Sequence, residues 1–86
     1  MKGWDALCQR IPENCARCFA WLSADPQQRI PGRCYPLRHK NYVERNVWAY
    51  EVSAGDRVYY IPRTADRTVL VYYAGPHPAS APQPPE

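Results

Sequence analysis

The 86-residue chain has no apolar run that approaches the roughly 20 residues needed to cross a bilayer. Its first residues contain one lysine and no apolar stretch of the kind found in a signal peptide. Both absences predict a cytoplasmic protein with no membrane partner. The four cysteines are then expected to be reduced.

A strong charge of either sign is also missing. Eleven Lys and Arg residues against eight Asp and Glu residues give a net charge of +3, which permits a nucleic-acid partner without requiring one. A chain of this length forms one small domain and buries only about 60% of its unfolded surface, so the core is modest. No internal repeat is present, and the function has to be sought in particular residues.

The cysteines include only one Cys-x-x-Cys pair, Cys15 and Cys18, whereas four-cysteine zinc sites usually combine two such pairs on turns. Both residues fall in an apolar stripe with helical spacing, where free cysteine behaves as a small hydrophobe. A zinc site that also includes Cys8 and Cys34 is the alternative. The spacing favours a role in the core and predicts no bound metal and no other cofactor.

The first quarter of the chain carries two apolar stripes at helical spacing. Pro12 lies between them, and proline is poorly tolerated inside a helix but well suited to the first position of a new one. The pattern predicts a hairpin of two helices near residues 3–10 and 13–24. The dipeptide Asp25-Pro26 is predicted to close the second helix.

Residues 26–46 show no clean period and are interrupted by prolines and a glycine. We predict an irregular connection with a short strand near residues 34–38. Its length indicates a functional segment, because long structureless loops are uncommon in compact domains. A solvated loop is the alternative, since charge runs are usually wet surface. The segment carries a basic cluster made of Arg38, His39, Lys40 and Arg45.

Three runs rich in β-branched and aromatic residues follow, at residues 47–52, 57–61 and 68–73. Separated by turn residues, such runs are typical of an antiparallel meander. Pro62 is predicted to end the second run, because proline cannot donate to a sheet ladder. Arg57 lies on the face opposite the apolar one. The residues predicted to face the helices are Trp48, Tyr50, Val52, Val58 and Tyr60.

The predicted fold class is therefore α+β, with the helical hairpin packed on a three- to four-stranded antiparallel sheet. A single domain is expected over residues 1–75. Residues 76–86 contain five of the ten prolines in the chain, and we predict a proline-rich flexible tail there.

Several short motifs occur in a fixed order along nearly the whole chain, from about residue 3 to residue 77. They are Asp25-Pro26, Pro36-Leu37, Trp48, the run at 55–60, the run at 67–71 and the run at 74–77. Their order and spacing resemble the RelE/ParE superfamily of bacterial toxins, which also implies a RelE-like fold. The resemblance implies the toxin of a toxin–antitoxin system, neutralised by a cognate antitoxin. Many members of the family inhibit translation by cleaving mRNA, often on the ribosome, and others poison DNA gyrase.

The same resemblance implies a metal-independent endoribonuclease with Arg57 and His77 as catalytic residues. Arg57 matches the arginine that the family places on a strand, and His77 follows the glycine where many relatives carry Arg or His. A fixed cation stabilises the charge of the transition state, and an imidazole moves protons. The candidates for holding RNA by charge or stacking are Arg38, His39, Lys40, Arg45 and Tyr59.

Each of these roles has a plainer alternative. Arg57 is alternatively a surface arginine paired with Asp56 or Glu51, and His77 an exposed histidine in a proline-rich tail. Family ribonucleases commonly carry basic residues where this chain has Ala49 and Glu51. A non-catalytic protein, either a ParE-like gyrase poison or a toxin fold that acts by contact, therefore stays open.

The family usually opens with a strand ahead of the helices, and this chain starts at the helix, so either the strand is missing or the native chain starts upstream with it. Without that strand, one edge of the predicted sheet is open. Open edges recruit strands, and antitoxins lay a strand or helix across the apolar surface of a toxin. We therefore expect the antitoxin to be the principal protein partner.

Overall fold

The computed structural model describes residues 2–24, 27, 29–30, 32–63, 68–78 and 82. Its elements are α1 (Lys2–Arg10), α2 (Pro12–Ala24), β1 (Cys34–Pro36), α3 (Lys40–Arg45), β2 (Trp48–Ser53), β3 (Asp56–Arg63) and β4 (Thr68–Pro76). The strands form one antiparallel sheet in the order β1-β2-β3-β4. The α+β class and the four-stranded sheet agree with the sequence prediction. In the described part of the chain, no helix has the length and apolar character needed to cross a bilayer.

A single residue, Ile11, separates α1 from α2. The Ile11 N–H donates to the Leu7 carbonyl oxygen at 2.9 Å, and the Cys15 N–H donates to the Ile11 carbonyl oxygen at 3.1 Å. Pro12 begins α2, as predicted, because its missing N–H is not needed there. The two helices are thus joined by a one-residue break and not by a loop. The predicted helix end at residues 25–26 lies outside the described residues.

The core lies between the helices and one face of the sheet. All five sheet residues predicted to face the helices are buried there. The Trp48 and Tyr60 rings stack with their centroids 6.5 Å apart. The buried cluster consists of Leu7, Cys15, Cys18, Leu22, Cys34, Trp48, Tyr50, Val52, Val58, Tyr60 and Ala74. The predicted register of the meander is therefore confirmed.

The predicted end of the second strand at Pro62 is wrong. β3 continues through Pro62, which pairs with Val69 of β4. β2 begins at Trp48 opposite Tyr60, so β3 beyond Tyr60 has a ladder neighbour on one side only. Proline is tolerated where its missing N–H faces no neighbouring strand. β4 likewise runs past its predicted end and stops at Pro76.

The segment predicted as an irregular connection contains more structure than expected. β1 lies within the predicted strand at 34–38, but α3 was not predicted, because six residues are too few to show a helical period. Asn46 ends α3 in the left-handed conformation, with φ 57° and ψ 49°. Its N–H bonds the carbonyl oxygens of Tyr42 and Val43. Asparagine is one of the few residues besides glycine that routinely adopts this conformation.

Gly3 is the position at which α1 lies directly against β4. A Cβ atom at Gly3 would overlap the carbonyl oxygen of Ala74. Ala74 pairs with Val58 in the sheet, so its backbone is not free to move away. Glycine at this position therefore sets how closely the helix approaches the sheet.

We expect Gly3→Ala to lower the free energy of unfolding by about 1–3 kcal/mol, the usual cost of overpacking. Helix propensity alone predicts the opposite sign, a gain of up to about 1 kcal/mol. Urea denaturation decides between them. Gly55→Ala is the control, because an added Cβ at Gly55 meets no atom within 4 Å. If the urea midpoint of Gly3→Ala were unchanged or raised, the close approach of α1 to β4 at Gly3 would be refuted.

An ion pair ties the end of α1 to the start of β3. Arg10 Nη2 lies 2.7 Å from Oδ1 of the buried Asp56 carboxylate, and Nη1 donates to Oδ2 at 3.3 Å. The Ser53 hydroxyl also donates to Asp56 Oδ2, at 2.7 Å. The hydrogen bonds from Arg10 and then from Ser53 lower the pKa of Asp56 below its ordinary value of 3.8.

Arg10→Ala is expected to destabilise the protein at neutral pH and progressively less in acid. The pKa of Asp56 is lower in the folded state than its ordinary value of 3.8. The Arg10–Asp56 pair therefore stabilises the folded protein fully above pH 3.8, and this stabilisation is lost as the pH falls through the folded-state pKa. Denaturation between pH 7 and pH 2 tests this expectation. Arg17→Ala, at an exposed position of α2, is the control. A wild-type advantage over Arg10→Ala that stays constant with pH would contradict it.

Candidate functional site

The register of β3 and β4 brings Arg57 and His77 to one corner of the sheet. Arg57 lies opposite Gly75, and His77 follows Gly75 by two residues. The His77 N–H donates to the Gly55 carbonyl oxygen at 2.8 Å, which holds the His77 backbone beside the β2–β3 turn. The backbones of the two predicted catalytic residues thus lie at the same corner of the sheet.

Arg57 is held in place by the turn that precedes its strand. Its Nη2 lies 3.3 Å from Oε1 of Glu51, and its side chain is 11% exposed. Its Nη1 donates to three carbonyl oxygens of the turn, those of Ser53, Ala54 and Asp56, at 2.9, 3.3 and 3.0 Å. Arg57 therefore pairs with Glu51, as the plainer alternative expected. The guanidinium is immobilised and its charge is balanced by a carboxylate.

Glu51 and Tyr35 complete this corner, and neither was predicted as a site residue. Glu51 Oε2 accepts a hydrogen bond from the Tyr35 hydroxyl at 3.1 Å, while Oε1 contacts Arg57. The Glu51 side chain is 25% exposed, so solvent reaches the carboxylate. Burial, followed by the charge of Glu51, raises the pKa of Tyr35 and keeps its hydroxyl protonated. We call Tyr35, Glu51, Arg57 and His77 the catalytic corner, after the two of them that the sequence predicts to be catalytic.

The sequence contains a signal for Glu51 but not for Tyr35. Glu51 lies directly opposite Arg57 across the β2–β3 turn, a pairing that follows from the register of this hairpin. Tyr35 reaches the corner only because β1 pairs with β2, a contact between segments that no local pattern specifies.

Tyr59 lies on the Arg57 face, as predicted, but it is not an exposed platform. Its ring is 5.6 Å from the Tyr73 ring and 6.5 Å from the Tyr72 ring, and only 4% of the residue is exposed. Burial raises its pKa. This burial argues against direct stacking of a base on Tyr59, because neighbouring side chains cover it. The partly exposed Tyr72 and Tyr73 are the rings that a base can reach.

The four basic residues predicted to hold RNA lie together around α3, and all are exposed. The His39 ring contacts Tyr42 edge-on at 6.0 Å. The charge of Tyr42 is among the causes, after burial, that raise the pKa of Tyr59 and of Tyr72. The basic segment is Arg38, His39, Lys40 and Arg45. The tyrosine face is Tyr35, Tyr42, Tyr59, Tyr72 and Tyr73.

The basic segment and the catalytic corner lie at opposite ends of the tyrosine face. α3 leads into β2 at Trp48, whereas Glu51 and Arg57 lie near the β2–β3 turn. Three residues of extended strand separate Trp48 from Glu51, a distance of about 10 Å. The predicted residues therefore divide into two groups, the basic segment around α3 and the catalytic corner at the β2–β3 turn.

The cysteines belong to the core. Cys15, Cys18 and Cys34 are buried and Cys8 is partly buried. Burial raises the pKa of Cys15 and of Cys18 to about 12, so both remain neutral thiols at physiological pH. Among the described residues, no three His, Cys, Asp or Glu side chains are arranged to hold a metal ion.

A shallow apolar groove lies between the helices and β4. One part has a volume of about 210 Å³ and is lined by Trp4, Phe19, Leu22 and Val71. A second part, of about 360 Å³, shares Phe19 and adds Val69 and Ser23. Phe19 is 63% exposed. Within the described sheet β4 pairs with β3 alone, so the groove adjoins an edge strand.

Comparison with known proteins finds no matching family model, no similar curated protein and no similar solved structure. The resemblance to RelE/ParE toxins thus stays a prediction. A function for this chain is therefore inferred from the geometry of the tyrosine face and the catalytic corner.

Proposed function

We propose that this protein is a toxin of the RelE/ParE type that cleaves mRNA at its catalytic corner without a metal. One observation carries the proposal: the sheet register gathers a fixed guanidinium, a solvent-accessible carboxylate and an exposed histidine at the same β-turn. A cation, a base and an acid are the three groups that ribonucleolytic cleavage requires. Arg57, Glu51 and His77 provide one of each.

The reaction proposed is attack of an RNA 2′-hydroxyl on the adjacent phosphorus. Glu51 removes the proton of the 2′-hydroxyl, as a general base within reach of solvent. Arg57 stabilises the negative charge that develops on the phosphorane oxygens. His77 gives a proton to the leaving 5′-oxygen. The products are a 2′,3′-cyclic phosphate and a 5′-hydroxyl, and the proton taken by Glu51 balances the proton lost by His77.

The surface leading to the corner supports RNA as the substrate. Cationic side chains of the basic segment attract the phosphate backbone. Partly exposed tyrosine rings between the basic segment and the corner offer stacking surfaces to unpaired bases, as in many single-strand binding proteins.

A binding-only toxin, such as one that poisons gyrase, is the second candidate. The observation that favours it is the pairing of Arg57 with Glu51, since a phosphate would have to displace or share a carboxylate that already balances the charge. The two candidates differ in what stops first when the chain is induced alone. Loss of protein synthesis with cut mRNA supports cleavage, whereas arrest of DNA replication with intact mRNA supports the gyrase alternative.

The cognate antitoxin is proposed to cover the apolar groove and the free edge of β4. Phe19 supports this assignment, because a large apolar side chain that is 63% exposed is a typical anchor for a partner. Within the described sheet β4 pairs with β3 alone, so its other side is a sheet edge that a partner strand can join. A strand or an amphipathic helix fits such a surface.

Phe19→Glu is expected to abolish capture of a small protein partner from the native cell without unfolding the chain. The substitution places a charge in the apolar groove at a position that makes little contribution to the core. Val43→Glu is the matched control, because Val43 is 58% exposed but lies on α3. Affinity purification of tagged wild type and both variants, followed by mass spectrometry, gives the result. Loss of the partner from both variants, or its retention by Phe19→Glu, would contradict the assignment.

A further inference from the structure

Pro82, a described residue near the end of the chain, contacts the tyrosine face. The Tyr72 hydroxyl donates a hydrogen bond to the carbonyl oxygen of Pro82 at 3.0 Å. The contact depends on an irregularity in the sheet, where the pairing passes from Tyr59–Tyr73 directly to Tyr60–Val71. Tyr72 is thus the extra residue of a β-bulge, a feature that re-aims a side chain.

We propose that the tyrosine face is a polyproline-binding surface and that its occupant is the segment of this chain around Pro82. Polyproline II segments are recognised by aromatic grooves, since their ordering cost is low and their carbonyl groups lack internal partners. A tyrosine hydroxyl bonded to a proline carbonyl within a cluster of aromatic rings provides this chemistry. The inference does not depend on RNA cleavage, and a tail bound at Tyr72 and an RNA base stacked on Tyr72 exclude each other.

The tail sequence fits this occupant. Residues 82–85 read Pro-Gln-Pro-Pro, which places prolines at the first and fourth positions of a PxxP motif. The single acidic residue after Gly75, Glu86, is opposite in charge to the basic segment beside the tyrosine face. On the tyrosine face, burial raises the pKa of Tyr72 to about 12, so its hydroxyl remains a hydrogen-bond donor throughout the physiological pH range.

The test is ¹⁵N relaxation of the full-length chain in wild type, Tyr72→Phe and Tyr73→Phe. Amide order parameters of Ala81 and Gln83 are expected above about 0.6 in wild type and below that value in Tyr72→Phe. Nuclear Overhauser effects between the Tyr72 ring and Pro82 should accompany the higher values. Tyr73→Phe is the matched control, because it keeps the aromatic ring of the tyrosine face and removes only a hydroxyl that bonds the carbonyl oxygen of Pro76 instead. It should leave the order parameters of Ala81 and Gln83 unchanged.

Pro82→Gly separates a polyproline interaction from a lone hydrogen bond, because glycine keeps the carbonyl oxygen but loses the fixed φ. We expect low order parameters at Ala81 and Gln83 in this variant as well. Low values in the wild type, equal losses in the Tyr72 and Tyr73 variants, or wild-type values in Pro82→Gly would each overturn the proposal.

Discussion

Arg57→Ala is expected to reduce cleavage of a defined mRNA roughly 10²- to 10³-fold, the usual cost of removing one fixed charge-stabilising donor. The effect should be large because the β2–β3 turn fixes the guanidinium before substrate arrives. Arg57→Lys keeps the charge but cannot bond the turn carbonyls and Glu51 at once, so only partial activity should survive. Arg63→Ala, an exposed arginine at the end of the same strand, serves as the control.

His77→Ala should have a smaller effect, about 10²-fold or less, because water can replace a general acid and the residue is exposed. Cleavage is measured with and without ribosomes, and circular dichroism establishes that each variant is folded. Equal cleavage by wild type and folded Arg57→Ala would falsify the site. An absence of cleavage by wild type in both conditions would favour the binding-only candidate.

The core could be predicted from the sequence because it depends on alternation within single strands. Trp48, Tyr50 and Val52 repeat every second residue, so their side chains lie on the same face of the strand. Val58 and Tyr60 follow the same rule across a short turn. Burial of these residues requires no knowledge of which strands pair at a distance.

The catalytic corner was predicted only in part, since it depends on pairing between distant segments. Arg57 and His77 are identified singly from the sequence, but that their backbones lie at one corner follows from the β3–β4 register. Tyr35 reaches the corner because it lies on β1, and nothing in the local sequence identifies the strand with which this three-residue strand pairs. The burial of Tyr59 could not be predicted either. The alternation of side chains along a strand shows on which face a residue lies, but not which other side chains cover that face. Here the covering rings include Tyr73 and the bulged Tyr72.

Glu51→Gln is expected to slow cleavage by about 10²- to 10⁴-fold, the range for loss of a general base. The amide keeps an oxygen that can accept the Tyr35 hydrogen bond but loses the charge that balances Arg57. RNA should therefore bind more tightly while it is cleaved more slowly. Single-turnover kinetics separate these two effects, because the rate at saturating protein and the half-saturating concentration are measured independently.

Glu13→Gln makes the matched control, since it changes the net charge equally but lies on α2. Tighter binding by Glu51→Gln and not by Glu13→Gln would show that the carboxylate competes with phosphate for Arg57. The cleavage rate then assigns the role of Glu51. A slower reaction identifies it as the base, and a faster one identifies it only as a competitor that substrate must displace. Weaker binding together with slower cleavage would contradict both, because it would mean that Glu51 serves chiefly to hold Arg57 in position.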